Sequence, residues 1–165
     1  LVLILFLNFD YVYANKNFVY IDVNNILNNS IVGQSITKHI QNLKKKKNKE
    51  FSLIENKLLD REKDIIKKKN IKEKDEFEKQ VNLLREEIKN YNLQKNEFNV
   101  QIEEKKIKYT KVVLNALNPI ISKYVEENSI LIVLPKKNII IAKKNLDITN
   151  IIMDLLNNEL KKINF

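Results

Sequence analysis

The stretch FEKQVNLLREEIKNYNLQKNEF, Phe77–Phe98, decides the fold. It contains neither Gly nor Pro, and its apolar residues return every three to four positions. Continued to Ala116, the series reads Phe77, Val81, Leu84, Ile88, Tyr91, Phe98, Ile102, Tyr109, Val112 and Ala116, in steps of four and three. Lys95 and Lys105 fill the two places where an apolar residue is missing. An alternation kept up this long is a heptad seam, the pattern of a coiled coil rather than of a generic amphipathic helix. A helix of about 50 Å or more, at 1.5 Å per residue, needs a partner of its own length.

The preceding segment supplies one. Ile36, Ile40, Leu43, Phe51, Ile54, Leu58 and Ile65 carry a similar repeat, with a stutter-like slip between Lys47 and Phe51 that would locally unwind a supercoil. Between the two seams lies KKKNIKEKD, Lys67–Asp75, dense in charge and without the repeat. The chain can reverse there, which predicts an antiparallel hairpin of Gln34–Lys69 against Phe77–Ala116. Such a hairpin buries only a thin line of side chains, so its tip is expected to be mobile.

With Val81 at heptad position a, Leu93, Val100, Ile107 and Leu114 all fall at f, opposite the seam. An apolar line on a face normally left to solvent needs a reason. For Leu93 and Val100 the reading is open between scattered surface residues and a shallow track for an unfolded chain. For Ile107 and Leu114, nearer the base, packing is expected.

Short β-rich runs flank the hairpin. FVYIDV, Phe18–Val23, precedes it. After it, ILIVL (Ile130–Leu134) and IIIA (Ile139–Ala142), separated by Pro135–Asn138, read as a β-hairpin. Asp147 and Thr149 offer caps for a last helix with Ile151, Ile152, Leu155, Leu156 and Leu160 on its apolar side. Pro119 would kink the second long helix or mark its junction with the base. The predicted fold is α+β. A coiled-coil hairpin arm, residues 34–116, projects from a small β body with a C-terminal helix, residues 15–33 and 117–165. So small a core, with strands this apolar, predicts self-association through the body.

Composition removes whole classes of chemistry. The 165 residues include one Gly, Gly33, so no Walker loop or dinucleotide fingerprint can form, since each needs closely spaced glycines. With no Cys and one His, His39, thiolate and multi-histidine zinc sites are absent. Glu86-Glu87 and Glu103-Glu104 are adjacent in sequence and point apart on a helix, so no paired acid and base emerges. Neither cofactor nor catalysis is expected. The net charge of +9, mostly from Lys, suits acidic polypeptide, anionic lipid headgroups or nucleic acid. Nucleic acid ranks last, because no basic groove carries stacking aromatics.

LVLILFL followed by NFDYVYA reads as the apolar core of a secretory signal, residues 1–14, cleaved after Ala14. The apolar run breaks at Asn8 and Asp10, short of the roughly 20 residues of a membrane span. Export through this signal also weighs against nucleic acid.

The end segments carry a family resemblance. FVYIDVNNILNNSIVGQ, with Asp22, Ile26-Leu27, Ser30 and Gly33, and PIISKYVEENSILIVLPKKNIIIAKKNLDIT, with Asp147 and Thr149, resemble the opening and closing segments of the Skp/OmpH family of periplasmic chaperones. The likeness runs from Phe18 onward, although the central arms match by heptad character alone. It implies a homotrimer whose strands form a joined body, with three helical hairpins around a cavity. It also implies an ATP-independent holdase in the periplasm that shields unfolded outer-membrane proteins. On that reading Leu93 and Val100 are candidate client contacts, and the basic groups, Lys67, Lys68 and Lys69 near the tip among them, attract acidic clients. The alternative is a structural or scaffolding coiled coil of the cell envelope, which would bind one folded partner rather than many unfolded ones.

Overall fold

The computed structural model describes residues 18–69 and 73–165, so the signal-like segment at residues 1–14 lies outside the described residues. In chain order the elements are β1 (Phe18–Ile21), α1 (Val23–Asn29), α2 (Ile31–Lys67), α3 (Lys74–Glu127), β2 (Ile132–Pro135) and α4 (Thr149–Glu159). At 1.5 Å per residue α2 is about 55 Å long and α3 about 80 Å. The protein is therefore mostly helix.

Ring and ion contacts fix how the long helices lie. His39 meets Tyr109, Phe51 meets Tyr91 and Phe98, and Arg61 pairs with Glu87. The residue number falls on one helix as it rises on the other, so α2 and α3 run antiparallel. Ile40, Phe51 and Ile65 of α2 are buried, as are Leu84, Tyr91, Ile102 and Tyr109 of α3. Ile36, Leu43, Ile54 and Leu58 are half-buried between them. Where the predicted seam slips, Lys47 lies alongside it, its ammonium 5.2 Å from the Phe51 ring centre and 2.8 Å from Glu50. Lys95, in one of the two gaps of the α3 series, places its ammonium 5.5 Å from the Tyr91 ring. A cation over a ring face lets a charged residue cover an apolar seam without being buried itself.

The seam departs from the predicted series beyond Tyr109. Val113, Leu117 and Ile120 are buried, whereas Val112 is exposed and Ala116 only half-buried. Two successive steps of four turn the apolar face, because here α3 leaves α2 and packs on the body. Ile88 is also exposed, at the level where α2 presents Arg61 to Glu87. Pro119 marks no junction, since α3 runs through it to Glu127. Pro119 lies on the exposed side of the helix, where the carbonyl it leaves unbonded meets water.

The body core combines Val19, Ile21, Ile26, Val32, Val113, Leu117, Ile120, Ile130, Ile148, Ile152 and Leu156. Helix caps lock its corners. Asp22 accepts from the Asn25 amide at 2.9 Å and starts α1, while the buried Ser30 hydroxyl accepts from the Gly33 amide at 3.1 Å and starts α2. A Cβ on Gly33 would sit 2.0 Å from the Leu27 carbonyl oxygen, so only glycine lets α1 turn into α2 this tightly. Asp147 accepts from the Thr149 amide at 3.0 Å, and the Thr149 hydroxyl accepts from the Asp22 amide at 2.9 Å. Burial pushes the Asp147 carboxyl up, but hydrogen bonds from Thr149 and Lys136 outweigh it and hold the carboxyl below its ordinary value.

The sheet differs from the predicted one. β1 and β2 pair in parallel, Phe18 with Ile132 through Ile21 with Pro135, and a bridge from Tyr20 to Asp147 flanks β1. Pro135 closes β2, a position a strand tolerates. Ile139–Ala142 forms no strand, and the residues between it and β2, Lys136–Asn138, form a 3-10 turn instead of a hairpin loop. The run IIIA has strand propensity but pairs with no strand among the described residues. The apolar side of α4 is likewise narrower than predicted: Ile152 and Leu156 are buried, whereas Ile151 and Leu155 are exposed.

Candidate functional site: the outer faces of the arm

On α3, Leu93 and Val100 lie on the outer face, 50% and 58% exposed, as their f positions predict. They are seven residues apart, or about 10 Å along the helix. Ile107 continues this line at 57% exposure and does not pack on the body of its own chain, which leaves another subunit as the packing partner that the sequence reading also allowed. It borders a shallow groove with Val112, Lys108 and Lys111. Leu114, the fourth member, does pack against the body core. The apolar track therefore has three members and ends where the body begins.

Lys67, Lys68 and Lys69 are exposed where α2 ends, with Lys67 4.0 Å from Asp64. The residue pairs across the hairpin put Leu93 level with about residue 55, so these lysines stand about 18 Å farther toward the tip. The two groups do not form one compact site. Below them, Ile65 and Phe77 floor a small groove rimmed by Arg61, Asp64, Lys68 and Gln80.

Sequence reasoning passed over apolar residues on α2. Leu53, Leu59 and Ile66 are exposed, as is Leu83 on α3. Leu59 and Ile66 repeat at seven, the spacing that picked out Leu93 and Val100, so the same count applied to α2 would have found them. Residues of the body were missed as well. Ile140 and Ile141 are 103% and 90% exposed, and Leu131, Ile132 and Leu134 are exposed as well. Their signal was misread as a strand within one chain.

At the root of the arm an open groove of about 410 Å³ is floored by Leu27, Ile36, Ile40 and Val113 and rimmed by Asn24, Gln41, Lys44 and Lys106. A hydrogen bond from Lys106 holds the exposed Glu103 carboxyl below its ordinary value, and Lys44 of the other helix adds to the effect. Higher up, the Tyr91 hydroxyl is buried without a partner. Among the described residues no cluster of His, Asp and Glu could hold a metal ion, and no helix is long and apolar enough to cross a membrane.

The molecule is a small strand-and-helix body bearing a long helical pair with apolar residues exposed on its outer faces. The profile of the OmpH-like outer membrane proteins matches residues 17–156, and the chain belongs to that family. Its fold is similar to that of a proposed OmpH-like outer membrane chaperone from Caulobacter crescentus CB15, with a TM-score of 0.82 and 18% identity, covering 98% of this chain and 95% of that one. At this identity the likeness is one of fold. No curated protein matches the chain in sequence.

Proposed function

We propose that the chain is an ATP-independent holdase of the periplasm, exported through a signal peptide at residues 1–14, which shields unfolded outer-membrane proteins between its helical arms. The observation that carries this reading is the apolar line Leu93, Val100 and Ile107, left uncovered along the outside of a long lever. Family membership supports the class of client. A holdase must bind many sequences and release them without work, so many small contacts suit it better than one tight site. Lys67, Lys68 and Lys69 attract acidic segments, or anionic lipid headgroups, in a salt-dependent way. With a single glycine, the chain lacks the phosphate-cradling loops of the common ATP-driven machines.

The working unit is a homotrimer joined through the body, residues 15–33 and 117–165, with residues 34–116 as the arm and a client cavity between three arms. In support, the outer edge of β2 has no strand beside it among the described residues, and Ile140 and Ile141, a few residues beyond β2 in the chain, are bare. A soluble protein does not leave such an edge open. Strands from further copies would cover it.

The test is a light-scattering assay of an unfolded outer-membrane barrel diluted from urea without ATP. Leu93→Ser with Val100→Ser should weaken suppression of aggregation several-fold while leaving helicity and assembly unchanged. Undiminished suppression would remove both residues from the client site.

A further inference from the structure

We propose that the root of the hairpin carries a groove for an extended peptide of alternating apolar and polar residues, which the chain's own segment Lys162–Phe165 fills and which a client strand displaces. The proposal rests on the client-holding reading above and names the kind of client segment taken at one place.

Beyond α4 the backbone leaves the helix. Its last hydrogen bond runs from the Leu160 amide to the Leu156 carbonyl, at 2.7 Å, and among the described residues none holds Lys161–Phe165. Side chains alone dock this segment. Ile163 packs both on the body core and on the root cluster of Ile40, Ile102 and Tyr109. The Phe165 ring lies flat on the His39 imidazole, with centres 3.9 Å apart and planes 3° from parallel. It also meets the Tyr109 ring edge-on at 5.4 Å. One wall of the groove thus comes from α2 and the other from α3. His39 is two residues from both Thr37 and Gln41, which border the open root groove, so the segment and that groove lie on opposite flanks of the seam.

Ile163 and Phe165 face the groove, while Lys162 and Asn164 between and before them are exposed. Over Lys162–Phe165 that is the two-residue period of an extended strand, which the exposed Lys161 does not continue toward Leu160. The strands of a membrane barrel have the same period, apolar on the lipid face with aromatic girdles at its borders. The segment therefore presents to the arm root the pattern that an unfolded barrel would present. Phe165 remains 52% exposed and is no part of the body core, so its own release costs that core nothing, and release of Ile163 uncovers one edge of it. A groove filled from within is also kept from sticking to other copies. Self-occupancy lowers its apparent affinity for a client by the fraction of time it stands open.

The chain contains no Cys, so Asn164→Cys gives one attachment point for a spin label. The probes are two fluorescent peptides of about ten residues, the length of a barrel strand. Both have the same composition with Phe included, one alternating apolar and polar residues and one with them in blocks. The alternating peptide should shift the label from a restricted to a mobile spectrum, and the blocked peptide should not. Phe165→Ala should tighten binding of the alternating peptide about threefold or more, because the groove then stands open. The proposal is overturned if neither peptide binds, if the alternating peptide binds by anisotropy while the label stays restricted, or if Phe165→Ala leaves affinity unchanged. A chain that suppresses barrel aggregation with an immobile label would refute this groove and leave the holdase reading standing. A label mobilised by peptide in a chain that suppresses nothing would do the reverse.

Discussion

Ser129 has a φ of 50°, the left-handed conformation that favours glycine. It follows α3, where the Ile130 amide bonds back to the Val125 carbonyl at 3.0 Å and the Ser129 amide to Glu126 at 3.3 Å. These two bonds form a Schellman ending, and the buried Ile130 supplies its apolar contact. Ser129→Gly should therefore raise stability by about 1 kcal/mol, read as a shift of the midpoint in chemical denaturation; a loss would show that the hydroxyl matters more than the backbone. Such an ending is hard to read from sequence when its usual glycine is missing. Asp147 and Thr149 were legible as polar residues at the start of α4: Asp147 accepts from the Thr149 amide two residues on, whereas Thr149 accepts from the distant Asp22 amide across the body; Asp22 and Ser30, noted through the resemblance, each accept from an amide three residues on. Gly33 stood out too, but its reason, the Leu27 carbonyl against it, needed the three-dimensional crossing of α1 and α2.

For the elements, periodicity read the hairpin as far as one face kept one partner. From Phe77 to Tyr109 the 3-4 series names the buried residues, although Ile88 escapes it, and beyond Tyr109 it fails because the partner changes from α2 to the body. Ile139–Ala142 fails for a related reason. Propensity says that a run can be a strand, whereas pairing decides whether it is one. The middle of the arm is its weak stretch, with Lys95 in the gap of the seam and the Tyr91 hydroxyl buried without a bond. A buried unpaired hydroxyl costs roughly 1–3 kcal/mol. Tyr91→Phe keeps the ring against Phe51 and removes that cost, so it should stabilise the arm by about 1 kcal/mol and slow hydrogen exchange around it. Faster exchange would mean that the hydroxyl has a partner in solution. The Arg61–Glu87 pair, partly exposed on both sides, contributes less than about 1 kcal/mol. The arm is thus held by its apolar line rather than by its many charges.

For the whole molecule, a body core of this size carries a lever about 80 Å long, and its barest residues, Ile140 and Ile141, follow in the chain a strand whose outer edge is unpaired among the described residues. Assembly through that edge predicts a trimer in sedimentation velocity at micromolar concentration, where a stable monomer would contradict it. The family was legible in the two end segments, whose caps and tight turn are local. The proposed client surface was legible in part: the heptad count put Leu93, Val100 and Ile107 on one face, the exposure of Ile107 needed the structure, and the same count, applied to α2, would have found Leu59 and Ile66. The most direct measurement of the central claim places a photo-crosslinking side chain at Leu93, at Val100 or, as a control on the body, at Asn150, in the presence of an unfolded outer-membrane barrel. Capture should be strong at the two arm positions and weak at Asn150. Equal capture at all three, or capture at the body alone, would contradict the account that clients are held along the arms.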